Sequence, residues 1–356
     1  MPQNEQFCMV ARESASIIVN PDLLAEDYLP EKIPGREGQL KALGHSLTPA
    51  LSRNKPMHAW LFGASGSGKT ATSRYVLKQM RQEANVNGVY VNCWESHTLH
   101  FIMEKIVTDL RLLHTAQSST TYKLMKFQRH IQSEPFIIVL DEIDKPEPKE
   151  RNTILYALST LGKVGLLCIS NDKLAFYTLE ERVKSRLNPV QVEFHPYTKA
   201  DLLEIISQRA DLSLTPGTWS RQLLEKIVNL SGGDARVAIQ TLKDAANDAQ
   251  INRDKVIAES HIRNGWKNAQ NWKRTYLLET LTPDHRLLYN LVKDNPGIVS
   301  GSLWQTYMLQ TKEKGGEPIA VRTFSKYVSR LRDLGLIRVE PARVKEGNVR
   351  KFYVIE

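Results

Sequence analysis

The sequence predicts an α/β fold: a parallel sheet built around a P-loop, then a small helical domain, then a winged helix. Three observations carry that expectation. Over the first two-thirds of the chain, short apolar runs alternate with amphipathic stretches, the pattern of strands covered on both faces by helices. Between one such run and the next helical stretch lies Gly63-Ala64-Ser65-Gly66-Ser67-Gly68-Lys69-Thr70, which matches the phosphate-loop pattern G-x-x-x-x-G-K-[ST]. The chain closes on helical stretches followed by a hairpin.

Taken in order, strands are predicted at His58–Phe62, Val89–Asn92, Phe136–Leu140, Gly165–Ser170 and Val190–Phe194, several of them apolar throughout. Helices lie between them, for example Ala71–Gln82 and Arg151–Leu161. After His195-Pro196-Tyr197 the pattern is helical only: Lys199–Ala210, Trp219–Asn229 and Ala235–Gln250. Ser231-Gly232-Gly233-Asp234 supplies a turn and a helix N-cap. Ile262–Arg274 holds Arg263, Lys267, Lys273 and Arg274 and no acidic residue, and reads as a connector. Helices then follow at Pro283–Lys293, Ser300–Leu309 and Ala320–Leu334, with a polar loop Thr311–Glu317 and a capping Gly335. Strands Leu336–Val339 and Val349–Ile355 flank the turn Pro341–Asn348. The expected division is a nucleotide-binding base with its N-terminal segment over 1–197, a lid over 198–261, the connector over 262–275 and the winged helix over 276–356.

A chain of 356 residues exceeds one hydrophobic core. Its net charge of +9 suits a polyanionic partner, or a solvated basic surface. Met1–Ser14 has no apolar run of signal-peptide length, and no stretch approaches the roughly 18 apolar residues of a membrane span. Cys8, Cys93 and Cys168 make no disulfide framework. A cytoplasmic protein with no membrane partner is expected. Cys93, His97, His100 and Glu104 have ligand chemistry but no second cluster beside them, so zinc is not expected.

The loop glycines let the backbone curl until its N–H groups face the β- and γ-phosphates of ATP or ADP, and the next helix adds its positive end. Lys69 supplies charge at the β/γ oxygens and Thr70 a hydroxyl for Mg²⁺. Phe136-Ile137-Ile138-Val139-Leu140-Asp141-Glu142 is an apolar strand ending in two carboxylates. Asp141 suits the Mg²⁺ and Glu142 the polarisation of an attacking water. Asn171, ending Leu166-Leu167-Cys168-Ile169-Ser170, is within reach of the γ-phosphate or the water, or else simply closes a strand-end turn.

Further features come in a telling order: Asp141-Glu142-Ile143-Asp144-Lys145, Ile169-Ser170-Asn171-Asp172, Arg182-Val183-Lys184-Ser185-Arg186-Leu187, then Gly233-Asp234-Ala235-Arg236 opening a lid helix, then the winged helix. With Tyr28-Leu29-Pro30 and Pro34-Gly35-Arg36-Glu37 ahead of the loop, the chain from about Leu24 onward resembles the archaeal initiators of the origin-recognition and helicase-loader family of AAA+ ATPases. The resemblance implies an ATP-dependent replication initiator acting on double-stranded origin DNA, with the replicative helicase and other AAA+ initiator subunits as partners. It implies Asn171 as a first sensor and Arg236 as a lid arginine at the γ-phosphate. Leu29, Pro30 and Arg36 fall in the segment that packs on adenine, and Arg186, or alternatively Arg182, is an arginine finger for a neighbouring subunit. The family's Asp-Pro before these arginines is Glu180-Glu181 here, and Trp94–Gln132, where initiators carry an extra DNA-contacting helix, is short. Two other readings share these parts: a DNA motor of the branch-migration type, and an ATP-gated DNA-binding regulator on a mobile element.

In a winged helix the third helix enters the major groove. Phe324, Val328, Leu331 and Leu334 mark its buried side, which leaves Arg322, Thr323, Lys326 and Arg330 for bases or phosphates. The wing adds Arg343 and Lys345, with Arg350 and Lys351 at its base. Leu110–Ser133 contains Arg111, Lys123, Lys126 and Arg129 and no acidic residue, and reads either as a second DNA contact or as an exposed helix face.

Overall fold

Five strands form one parallel sheet: β1 (Ala59–Gly63), β2 (Asn87–Asn92), β3 (Phe136–Asp141), β4 (Val164–Ser170) and β5 (Val190–Phe194), in spatial order β2-β3-β4-β1-β5, the edge strand β5 exposing Gln191 and Glu193. Along β3, Ile138 and Leu140 enter one core while Ile137 and Val139 enter the other, the alternation of a strand buried on both sides. The computed structural model describes residues 16–113, 115, 117–132, 134–279, 281–313, 315–344 and 347–355. Helices α1 (Glu37–Leu51), α2 (Lys69–Glu83), α3 (Leu99–Asp109), α4 (Thr120–Ile131), α5 (Pro148–Ser159) and α6 (Glu181–Leu187) accompany the sheet.

Three helices follow: α7 (Lys199–Ser213), α8 (Arg221–Ser231) and α9 (Ala235–Ile251). A capping box between Thr198 and Asp201 starts α7, and the Asp234 carboxylate caps α9 by accepting the N–H groups of Arg236 (3.0 Å) and Val237 (3.2 Å). Their core includes Leu202, Ile206, Leu224 and Leu242, and it also takes in Ile17 and Leu24. The sequence places that N-terminal segment with the sheet domain; its apolar anchors lie in the helical core instead. Ile18 bridges to Leu214, and the Val19 N–H donates to the Ser213 carbonyl (2.8 Å). Arg209 donates to the carbonyls of Leu23 (2.6 Å) and Tyr28 (3.1 Å). Each buried aliphatic side chain contributes about 1.5–3 kcal/mol, so two of them with the arginine clamp dock the strap firmly.

The basic stretch read as a connector is helical: it lies inside α10 (Glu259–Glu279). Ile262 joins the lid core, and the Trp266 indole N–H donates to the Leu230 carbonyl (3.1 Å); these anchors one turn apart outweigh the charge of Arg263 between them. The chain divides into two compact units within this helix, after Trp266.

The second unit comprises α11 (Pro283–Asp294), β6 (Ile298–Val299), α12 (Ser300–Glu313), α13 (Val321–Asp333), β7 (Ile337–Val344) and β8 (Gly347–Val354), with the strands antiparallel in the order β6-β8-β7. Leu288, Val292, Leu303, Tyr307, Phe324, Leu331 and Phe352 make its core. Helix α12 runs beyond the expected Leu309, because Thr311 is buried and bonded to the Tyr307 carbonyl (2.8 Å). Pro341, expected in the wing's turn, stands within β7 opposite Arg350, where an edge strand tolerates the missing N–H. Among the described residues, no helix is long and apolar enough to cross a membrane.

Candidate nucleotide site and basic helix face

The loop after β1 can close only where its glycines leave room for neighbouring groups. A Cβ on Gly63 would meet the Phe194 carbonyl oxygen at 2.1 Å, and one on Gly66 would meet the Asp234 carboxylate at 1.9 Å. The Ser67 hydroxyl donates to the Ala64 carbonyl (2.7 Å), while Ala64 and Ser65 form the accessible tip. Gly68, at φ +83°, starts α2 and puts Lys69 on its first turn. The Lys69 ammonium donates to the carbonyls of Gly63 (2.9 Å) and Ala64 (2.8 Å) and is only 5% exposed. Burial pulls it down to about 8, against the opposing influence of Asp141 and Asp144; the Arg236 charge lowers it further. A cation this poorly hydrated is poised for an incoming anion.

Asp141 ends β3 with its carboxylate fully oriented. One oxygen accepts from the Thr70 hydroxyl (2.6 Å) and the Tyr90 hydroxyl (2.8 Å), the other from the Glu142 N–H (2.9 Å). Glu142 itself takes φ +53°, a conformation uncommon for a non-glycine residue and frequent at functional turns. Tyr90 is held protonated first by burial and then by the Asp141 charge, and Arg74 covers its ring at 5.0 Å. Asn171 is exposed at the end of β4, with its N–H donating to Asp144 (3.3 Å). Tyr90 was not legible as a site residue, since it belongs to no spaced motif; Asp144 stands in the Asp141–Lys145 stretch but had no role assigned to it.

The helical domain covers this crevice. The Ala235 N–H donates to the Gly66 carbonyl (3.2 Å), and Arg236 pairs with Glu26 of the N-terminal strap. Arg36, in the segment expected to pack on adenine, is a buried brace. Its guanidinium donates to the carbonyls of Ser67 (3.0 Å), Gly35 (2.7 Å) and His195 (2.8 Å) and lies 3.6 Å from the centre of the Tyr197 ring. Leu29 and Pro30 are half-buried just beyond Tyr28, whose carbonyl Arg209 holds. Arg182 and Arg186 both project from α6 over the Tyr156 ring, at 5.3 and 5.4 Å. Arg182 is also paired with Glu180 (2.6 Å).

On α13, Arg322, Lys326 and Arg330 are exposed along one face with Ser325 and Ser329 between them, lining an open concavity; Thr323 is half-buried. Asp333 at its end is paired with Arg332 (2.8 Å). Arg343 lies on β7 opposite Asn348, and Lys345 lies outside the described residues. Lys123 is a correction: it is fully buried, paired with Glu104 and 3.1 Å from the His100 ring nitrogen. It is therefore no DNA contact, and Glu104 and His100 serve as its partners.

A P-loop, an acidic strand end and a helical cap closing over both define an AAA+ ATPase. Residues 53–174 match the family model of the AAA domain, and residues 203–267 that of the Cdc6 AAA+ ATPase-type lid domain. The chain is 30% identical over 341 residues to ORC1-type DNA replication protein 1 of Aeropyrum pernix, covering 89% of this chain and 86% of that one. It belongs to the family of ORC1-type DNA replication proteins, and it binds and hydrolyses ATP as a member of that family. Among solved structures it is similar to the Aeropyrum pernix ORC1 protein in complex with DNA, at a TM-score of 0.75 and 27% identity over 95% of this chain and 94% of that one. The Thermotoga maritima RuvB Holliday junction branch migration motor shares the fold alone, at a TM-score of 0.52 and 20% identity over 94% of this chain and 96% of that one.

Proposed function

We propose that the chain is an ATP-dependent initiator that binds duplex DNA at a replication origin and helps recruit or load the replicative helicase, with other AAA+ initiator subunits as neighbours. The observation that carries this reading is the pairing, in one chain, of a lidded nucleotide crevice with a winged helix whose exposed helix face is cationic. The Aeropyrum ORC1 protein that the chain resembles over nearly its whole length was itself solved in complex with DNA.

In this reading the ammonium of Lys69 leaves the Gly63 and Ala64 carbonyls for the β/γ oxygens. The Thr70 hydroxyl and Asp141 carboxylate, 2.6 Å apart, form the oxygen pair that suits a divalent cation. Mg²⁺ bound there would neutralise charge on the β- and γ-phosphates. Glu142 accepts the proton of the attacking water, and Asn171 orients that water or the γ-phosphate. Arg236 reads the γ-phosphate from the lid, so loss of that phosphate relaxes the cap. Such a switch works with slow turnover. Arg186 is the better finger for a neighbour's nucleotide, because Arg182 is already held by Glu180. On DNA, Arg322, Thr323, Lys326 and Arg330 approach the major groove, and the wing with Arg343 and Lys345 approaches the backbone.

Mapping the DNA that the full-length protein protects with ATP and with ADP tests this. Discrete protected sites at an origin, with ATP turnover that DNA barely accelerates, are expected. Fast DNA-stimulated hydrolysis by a hexameric ring would replace this reading with a motor, and protected sites confined to promoters would replace it with a regulator.

A further inference from the structure

The strap ahead of the sheet domain does more than fill the lid core. Ile17 and Leu24 are buried in that core, and Arg209 clamps the carbonyls of Leu23 and Tyr28 on either side of Ala25-Glu26-Asp27. Glu26 is thus carried on a backbone fixed at both ends, so little chain entropy is lost in placing its carboxylate. That carboxylate pairs with the Arg236 guanidinium, whose own backbone is fixed by the Asp234 cap at the start of α9. A carboxylate offers a guanidinium the same geometry as a phosphate edge: two anionic oxygens in a plane.

We infer that Glu26 is a built-in competitor for the γ-phosphate: it occupies Arg236 when no γ-phosphate is present and sets how strongly the site prefers ATP over ADP. The inference rests on the reading of Arg236 as the γ-phosphate sensor. The effect runs through the pair itself: while Glu26 holds the guanidinium, it neutralises the charge and occupies the donors that would attract the γ-phosphate. Arg236 faces the loop closely enough for its charge to be felt at Lys69, so a guanidinium released by the strap can serve the nucleotide. Both side chains are partly solvent-exposed, at 32% for Arg236 and 49% for Glu26, which limits the effect to the range of an exposed ion pair, about two- to fivefold in affinity.

The test is equilibrium binding of ATP and ADP, by calorimetry, to the full-length protein and to its E26Q, R236A and E26Q/R236A variants. E26Q is expected to raise ATP affinity about two- to fivefold and leave ADP affinity unchanged. In the R236A background the same change is expected to do nothing. An unchanged or lowered ATP affinity in E26Q, an equal rise for ATP and ADP, or a gain that persists without Arg236 overturns the inference; the last outcome would mean general electrostatics alone. The underlying reading fails separately. If R236A alone leaves the ATP-to-ADP preference at the native value, Arg236 is no sensor and both statements fall. If R236A lowers that preference while E26Q alters nothing, only the role of Glu26 falls.

Discussion

Lys69 is buried at the loop with its protonation pulled down to about 8, and this makes nucleotide binding depend on pH. Phosphates arriving beside the ammonium favour its charged form, so the complex should keep a proton that the free protein loses above about pH 8. ATP affinity should therefore be flat below that value and fall above it, by up to about tenfold per pH unit. Calorimetry in two buffers of different protonation heat checks this, because binding in the falling range must take up close to one proton. Lys69→Ala should abolish or severely weaken ATP binding, and Glu142→Gln should keep binding while stopping hydrolysis, since Asp141 retains its three donors. Native-rate hydrolysis by Glu142→Gln would show that the acidic strand has been misassigned. Lys69 was legible from the short spacing of its strand–loop–helix unit, and Asp141 and Glu142 from the apolar strand they end, 71 residues on from Thr70. Tyr90 was not. It lies 51 residues from Asp141 in the chain and reaches it only through the β2–β3 pairing.

Within a single helix, α13 carries Arg322, Lys326 and Arg330 four residues apart, each exposed. Like charges at that spacing repel and weaken the helix by about 0.2–0.5 kcal/mol per pair. Such a face is held against its own stability, which favours a role in binding. Lys326→Glu removes both repulsions, so it should keep or raise the melting temperature while lowering affinity for duplex DNA. The plot of log affinity against log salt should flatten by about 0.9 for each phosphate no longer neutralised. A variant that loses DNA affinity only because it unfolds would contradict this, as would one whose binding is unchanged. The same charge pattern misleads on α4. Lys123, Lys126 and Arg129 have an equally basic look, but Lys123 turns inward to Glu104 and His100 on α3. Nothing in the α4 sequence announces an acid waiting on a different helix.

For the molecule as a whole, the consequential contact is that between loop and lid. Asp234 caps α9 and at the same time fills the space that a Gly66 side chain would need. Gly66→Ala should therefore push the lid off the loop, strain a backbone at φ +74° and weaken nucleotide binding, with the loss visible in calorimetry while the winged-helix unit still melts as before. Arg236→Ala should retain much of the nucleotide affinity but uncouple it from the lid, so that small-angle scattering curves with ATP and with ADP coincide. A variant that still changes shape between the two nucleotides would remove Arg236 from the switch.

The P-loop, the acidic strand end, the five strands and the exposed cations of the third winged-helix helix could all be read from the order of residues. Each is encoded locally: glycines where the backbone must curl, alternation where two faces are buried, and a four-residue step where one helix face is free. Folding was needed to reveal that the N-terminal strap belongs to the lid core, that the basic connector is a helix, that Arg36 braces the loop from beneath, and that Glu26 meets Arg236. Most of these pairings join residues tens to hundreds of positions apart. Ile17 and Leu24 show no period that names their partner, and a lone Arg or Glu carries no mark of the charge it will meet. Burial summed over a whole core selects such pairs, and that sum exists only once the chain has folded.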